Sequence, residues 1–401
     1  MIAAMEPVFA NQQHAAVNAG LLEAIMLACP DESLTLVAPP EHRAAVMEVC
    51  RESRATIARF DIDVMPPGGI CVARIAAQFR AMRDAVTALR PRTLVCLSST
   101  PETFFACRLL SLIARNVQIV VVLHGNLNDA TGWRSRDPRR RLLDSRSSLT
   151  VGRYSPIRFV VLETAIRDAA LARGLLPSSR TDVWPLPIND DEIRAPSDRL
   201  QSNRISIASL GGAKRSKGFD QFLALMRRGR QHDPDGYEFS LIGTMYETFT
   251  AEETAGLTLT HDMLPRGEYL DRLRHVDYVY MPLLRDTYAL TASGSLLDCI
   301  ASATPLIATR TGAVAHMAAD GPIGYLADDP EALTAIVLDR TRLADRTAHK
   351  TFQQNLVRLQ SQRRPAAIAA AVRETLGYGK GPVSKPVVDR PGTPKAARQP
   401  A

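Results

Sequence analysis

Ser293-Gly294-Ser295 opens a helical pattern after an apolar run at 278–282 and a loop of small residues. A helix that starts on such residues presents unpaired backbone N–H groups, hydroxyls and the positive end of its dipole to whatever lies in front. Phosphate suits that place. Asp298 follows about one turn later, where a carboxylate could accept hydrogen bonds from ribose hydroxyls. A second stretch with chemical content is Gly211-Gly212-Ala213-Lys214-Arg215-Ser216-Lys217-Gly218, which also follows an apolar run and leads into a helix. Its glycines let backbone come close to a ligand. Lys217 sits just before the helix, where an ammonium could neutralise a diphosphate. The spacing is not that of a Walker loop. The two stretches together suit a nucleotide carrying a sugar. Taken singly, each also reads as an ordinary capped helix or a basic surface turn.

The elements that must position these residues alternate between short apolar runs and helical patterns. In the first half the strand candidates are 34–38, 93–97, 117–123 and 158–162, with helices near 14–28, 40–52, 70–89, 102–114 and 164–173. The runs are continuous rather than alternating, which marks strands buried on both faces of a parallel sheet. Pro185, Pro187, Asn189-Asp190-Asp191-Glu192 and Pro196 then form a polar connector. The rhythm restarts with strands at 205–210, 239–242, 278–282 and 305–308 and helices at 218–229, 266–274, 294–302 and 330–338. The reading is α/β, with two Rossmann-like doubly wound domains facing a cleft. The first covers 1–190, a linker 191–203, and the second 204–342. Helices follow at 343–379, interrupted at Pro365, and then a disordered basic tail at 380–401. Ligands of such sheets bind beyond the carboxyl ends of the strands.

Composition narrows the classes. The chain has 401 residues, 46% hydrophobic, and a net charge of +7. The tail carries five basic residues against Asp389, so +4 lies there and +3 on the body. Six scattered cysteines form no Cys-x-x-Cys pair, and neither a disulfide framework nor a zinc site is expected. No apolar run is long enough to span a bilayer. A cytoplasmic protein is expected. Peripheral contact with an anionic inner membrane face is suggested by Arg134, Arg136, Arg139, Arg140 and Arg141 and by the basic tail. The same arginines also read as a solvated helix start. With 5% aromatics and no known module, nucleic acid is not an expected partner.

The pieces in the second half resemble the GT-B glycosyltransferases of the GT4 type. Gly211…Lys217-Gly218-Phe219-Asp220, Pro282…Asp286, Asp298-Cys299-Ile300-Ala301-Ser302-Ala303-Thr304-Pro305, Thr311-Gly312 and Gly321…Gly324-Tyr325 fall in that family's order over about 205–340. The first half matches only in architecture and in Leu123-His124-Gly125. The resemblance implies a donor diphosphate held by Lys217 and the amides around Ser293, Gly294 and Ser295. It implies that Asp298 holds the ribose, that Asp286 stands near the donor sugar, and that His124 contacts the sugar from the other domain. Gly211, Gly212 and Lys214 complete the implied donor loop. Gly212 stands where the family often has Arg, so Lys214 or Arg215 would have to compensate. Twelve positions separate Asp286 from Asp298, more than the family's usual spacing. The family's Gly-rich first loop is replaced here by Asn11-Gln12-Gln13-His14.

The expected function is a glycosyltransferase that moves a sugar from a nucleotide-diphosphate sugar to a glycan or lipid-linked acceptor in surface polysaccharide biosynthesis. By resemblance it is retaining and needs neither metal nor other cofactor. The rivals are a degenerate GT-B scaffold that binds without turnover, and a relative such as a sugar epimerase or polyol-phosphate transferase. Glu163, after strand 158–162, is a further acceptor-side or base candidate, and His14 could reach acceptor or donor. Asp61 and Asp63 form an Asp-x-Asp pair too far from the donor half to read as a metal site.

Overall fold

The computed structural model describes residues 1–50, 57–65, 71–124, 127–131, 137, 141, 143–198, 200, 204–259, 264–285 and 288–378. Two sheets, parallel throughout, organise them. The first has seven strands: β1 (Ile2–Met5), β2 (Leu34–Ala38), β3 (Ile57–Asp61), β4 (Thr93–Cys96), β5 (Gln118–Leu123), β6 (Ile157–Val161) and β7 (Thr181–Val183). Their order is β3-β2-β1-β4-β5-β6-β7. The second has six: β8 (Ile205–Leu210), β9 (Tyr237–Ile242), β10 (Thr258–Leu259), β11 (Tyr278–Met281), β12 (Leu306–Thr309) and β13 (Gly324–Ala327), in the order β10-β9-β8-β11-β12-β13. The strand order reverses between β1 and β4 in one sheet and between β8 and β11 in the other. In a doubly wound sheet that reversal opens a crevice at the strand ends, because the flanking helices leave on opposite faces.

The strands form from the runs read in the sequence. Ile119-Val120-Val121-Val122-Leu123 is buried throughout, as a β-branched run covered on both faces must be. Sequence reading passed over β1, β3, β7, β10 and β13. It also passed over the helices at Ser145–Arg153 and Gly312–Met317.

One apolar cluster runs through both domains by way of Trp184, Leu186 and Ile188, while each sheet keeps a second cluster on its other face. The chain crosses back at its end. Helix Arg346–Arg363 packs on helix Gly294–Ala301, and helix Pro365–Leu376 lies along helix Ala15–Ala28 of the first domain. Polar groups stitch this crossing. The Gln360 amide donates to the carbonyls of Arg194, Ile300 and Ala301 at 2.9–3.1 Å. Trp184 Nε1 donates to Thr375 Oγ1 at 3.0 Å.

Glu163 belongs to this joint and not to a cleft. It is 3% exposed, and Arg363 Nη2 donates to its Oε2 at 3.1 Å. The expectation of an acceptor-side base there is corrected, since a buried carboxylate closed by an arginine cannot take a substrate proton. The tail at 380–401 and most of the arginine cluster at 134–141 lie outside the described residues. Among the described residues, no helix is long and apolar enough to cross a membrane.

Candidate active site

A cleft of about 430 Å³ opens at the reversal point of the second sheet. Its floor is the ends of β8 and β11, through Ser209, Leu210, Tyr280, Met281, Pro282 and Leu283. Lys217 and the helix start at Ser293, Gly294 and Ser295 form one side, and Asn128 and Asp129 approach from the first domain. The two stretches singled out in the sequence therefore meet in one place. Gly218 explains how they come so close. Its φ is +80°, and a Cβ there would lie 2.8 Å from Pro282 Cγ and 2.9 Å from the Pro282 carbonyl oxygen. Only a residue without a side chain lets the loop after β8 pack on the loop after β11.

The helix start is prepared for an anion. Ser293 caps the helix, its Oγ accepting from Leu296 N–H at 3.4 Å. The amides of Gly294 and Ser295 fall in the first turn, where the helix itself offers no acceptor. Lys217 adds a full charge, and among the described residues it has no carboxylate partner. Partial desolvation, and then Lys214 nearby, lower the Lys217 ammonium from its ordinary range. An exposed ammonium beside the N–H groups of a helix start suits an anion.

The neighbouring basic residues are used elsewhere. Lys214 Nζ lies over the Tyr246 ring at 5.1 Å. Arg215 is bonded to Glu253 at 3.0 Å and stacks over Phe249. The Tyr246 ring also covers Gly212, where a Cβ would meet Cε2 at 2.4 Å. An arginine at 212 would need that space. Gly211, at φ +75°, lies beside the Ser295 side chain. Of this loop's cations, Lys217 lines the cleft and Lys214 and Arg215 do not.

Asp298 sits one turn into the helix, already engaged. Arg266 Nη1 lies 2.7 Å from its Oδ1, and the Tyr269 hydroxyl donates to Oδ2 at 3.0 Å. Arg266 also donates through Nε to Glu192 at 2.7 Å, tying the interdomain connector to this helix. Asp298 is not among the residues lining the cleft. Asp286 lies outside the described residues.

His124 follows β5 and stands apart from the cleft's lining. Its ring bonds the backbone of Leu97, and its Nε2 is buried with no partner among the described residues. His14 meets it edge-on at 4.9 Å between centroids and stacks on Phe9 at 4.6 Å. His14 adopts φ 65° at the start of its helix. Burial, reinforced by neighbouring His42, lowers His14 to about 4. Burial and then His14 lower His124 to about 3. Both rings are therefore neutral at physiological pH.

The sign of the pH effect follows. The unfolded histidines bind protons below about 6.5 while the folded ones do not. The stability they contribute is complete above that pH and is lost as pH falls through about 4 toward about 3. Each histidine should add a slope of roughly 1.4 kcal/mol per pH unit in that window. Thermal melts between pH 4 and 7 should show a shallower acid slope for His14→Asn, which tolerates the left-handed backbone. Parallel slopes for the two proteins would refute the assignment.

Sequence reading missed the polar cluster that shapes this loop. Glu6, fully buried after β1, accepts from the N–H groups of Val8 and Phe9 at 2.9 and 3.1 Å. It also accepts from Asn18 Nδ2 and Ser98 Oγ at 2.8 and 2.7 Å. The carboxylate fixes the loop after β1. The Asn128 bridge was missed as well. Its Nδ2 donates to Thr291 Oγ1 at 2.8 Å, and its Oδ1 accepts from Leu290 N–H at 2.9 Å. Leu290 itself, 1% exposed, is buried in the first domain's cluster. The lengthened loop before the helix is thus docked across the cleft. Asp61 on the edge strand β3 is paired with Arg43. Among the described residues, no group of three or more His, Cys, Asp or Glu could hold a metal.

Two parallel doubly wound sheets facing each other, with a terminal helix crossing back, make a GT-B fold. Solved structures agree. HepE of Anabaena, solved with UDP-glucose, superposes with a TM-score of 0.67 at 14% identity, covering 94% of this chain and 99% of that one. Sucrose-phosphate synthase of Thermosynechococcus elongatus gives 0.65 at 15%, covering 92% and 96%. A protein assigned as a UDP-N-acetylglucosamine 2-epimerase of Listeria monocytogenes gives 0.53 at 15%, covering 92% and 93%. No curated protein matches the sequence. Residues 204–340 match the family model for glycosyl transferases group 1. The chain thus has the GT-B fold, and its second domain carries the match to the group 1 glycosyl transferases.

Proposed function

We propose that the protein transfers a sugar from a nucleotide-diphosphate sugar to a glycan or lipid-linked acceptor, with retention and without a metal. The observation that carries this is Lys217, without a carboxylate partner among the described residues, lining the same cleft as the helix start at Gly294 and Ser295. A departing nucleoside diphosphate gains negative charge, and fixed donors with an ammonium stabilise it without reorganising. Asp298, bound by Arg266 and Tyr269 and outside the cleft's lining, positions the helix start that holds the diphosphate. His124, neutral, outside the cleft's lining and bonded to the Leu97 backbone, helps to fix the end of β5 in the first domain.

Thermal melts against UDP-, GDP-, ADP- and TDP-sugars test this. A donor present at about 100 times its Kd should add roughly 2.7 kcal/mol of stability. Turnover of that donor should then require an acceptor. Absence of a shift with every nucleotide would sink the reading, and turnover of the sugar nucleotide alone would indicate epimerase chemistry instead.

A further inference from the structure

Asp129 is a carboxylate in a cleft otherwise built for an anion. It lies on the short turn Asn128–Ala130, just beyond the strand that carries His124. The turn is held firmly. Leu127 and Ala130 are 1% and 4% exposed, and Asn128 is fixed to Thr291 and Leu290 of the other domain. Thr131 Oγ1 closes it by donating to the Asn128 carbonyl at 2.8 Å. Asp129 lines the cleft from the first domain, and Lys217 and Ser293-Gly294-Ser295 line it from the second. Among the described residues its carboxylate has no hydrogen bond or ion pair, although other acidic residues of this chain are paired with arginines. Its side chain is exposed, and partial desolvation in the cleft raises its affinity for a proton.

A carboxylate so placed disfavours a diphosphate, because like charges in a partly desolvated cleft repel. It therefore has no use to the diphosphate of a nucleotide. It has one for a neutral group rich in hydroxyl donors attached to that nucleotide. We infer that Asp129 is a specificity-determining residue that accepts hydrogen bonds from hydroxyls of the transferred sugar, reading it from the first domain while Lys217 and the helix start hold the diphosphate. This rests on the donor reading above. The geometry assigns the sugar to the side of the cleft where the two domains touch, because Asp129 and the docked loop at Thr291 border it there.

The test compares two ligands on two proteins by calorimetry, using whichever base the melts select. The probes are the nucleoside diphosphate alone and the matching nucleotide sugar. In the wild type the sugar should add affinity. In Asp129→Asn that increment should fall by roughly ten- to a hundredfold, the loss expected for hydrogen bonds to a charged acceptor. Affinity for the bare nucleoside diphosphate should stay unchanged or rise, since a repulsive charge has gone. Asp129→Glu, which keeps the charge but moves it, should also lose the sugar increment without gaining diphosphate affinity. Retention of the full increment in Asp129→Asn would overturn the inference while leaving the donor reading intact. Equal loss for both ligands would overturn it too, pointing to a structural role for the turn. If neither ligand bound the wild type, the donor reading itself would fall, and this inference with it.

Discussion

Lys217→Ala is expected to lower kcat/KM by roughly 10²–10³-fold, the range seen when one preorganised donor to a developing negative charge is removed. The ammonium lines the cleft, exposed, with no carboxylate to neutralise it among the described residues. Its favourable interactions must then come from ligand, and they strengthen as the leaving diphosphate gains charge. The loss should therefore fall more on kcat than on KM. Lys217→Arg should recover part of it, since charge is kept while the shape of the donor group changes. The unliganded variant should melt at about the same temperature as the wild type, because an exposed side chain without a protein partner contributes little to stability. Steady-state kinetics with the selected donor would check the first point and a melt without ligand the second. Activity within threefold of wild type would remove Lys217 from the mechanism.

Arg363→Ala should be as damaging to the fold as Lys217→Ala is to turnover. Arg363 and Glu163 are 6% and 4% exposed at their side chains and face each other at 3.1 Å. Removing one member leaves the other charge buried and uncompensated, which costs roughly 3–5 kcal/mol. The pair lies where the last long helix meets the end of β6, and the Arg363 carbonyl also accepts from Ile188 N–H at 2.9 Å. Loss should therefore loosen the packing between the domains. Glu163→Leu together with Arg363→Met should cost far less than either single change, because an apolar pair of similar volume avoids the desolvation of two charges. Urea unfolding of the two singles and the double would measure this. A single-variant cost below about 1 kcal/mol would show that the charges relax into solvent.

The donor side of the site was legible because its parts are local. Ser293-Gly294-Ser295 and Gly211–Gly218 each lie at a strand-to-helix turn, and their chemistry follows from a few consecutive residues. Asp298 was legible as a position but not as a partner, since Arg266 reaches it from another helix. What stayed hidden depends on long-range pairing. Asn128 meets Leu290 across 162 positions, and Glu163 meets Arg363 across 200. Nothing near Glu163 announces the arginine, so a buried joint read as an exposed acid. Glu6 is similar: Ser98 reaches it from the far side of the reversal between β1 and β4. The missed strands have their own reasons. β1 has only four residues, two of them alanine. β3 is an edge strand carrying Arg59 and Asp61, with only Ile57 fully buried. The two sheets and the reversal between β8 and β11 were nonetheless implied by continuous apolar runs separated by helical ones.

The docked loop at Leu290 has a mechanical consequence. Leu290 stands three residues before the cap of the helix that offers its amides to the diphosphate. Drawing the domains apart would pull that leucine out of the first domain's apolar cluster, at a cost of roughly 1.5–3 kcal/mol. It would also break the two Asn128 hydrogen bonds. Hinge motion and the anion seat thus share one anchor. Any separation of the two domains must therefore work against this one contact before the helix start can move away from the first domain.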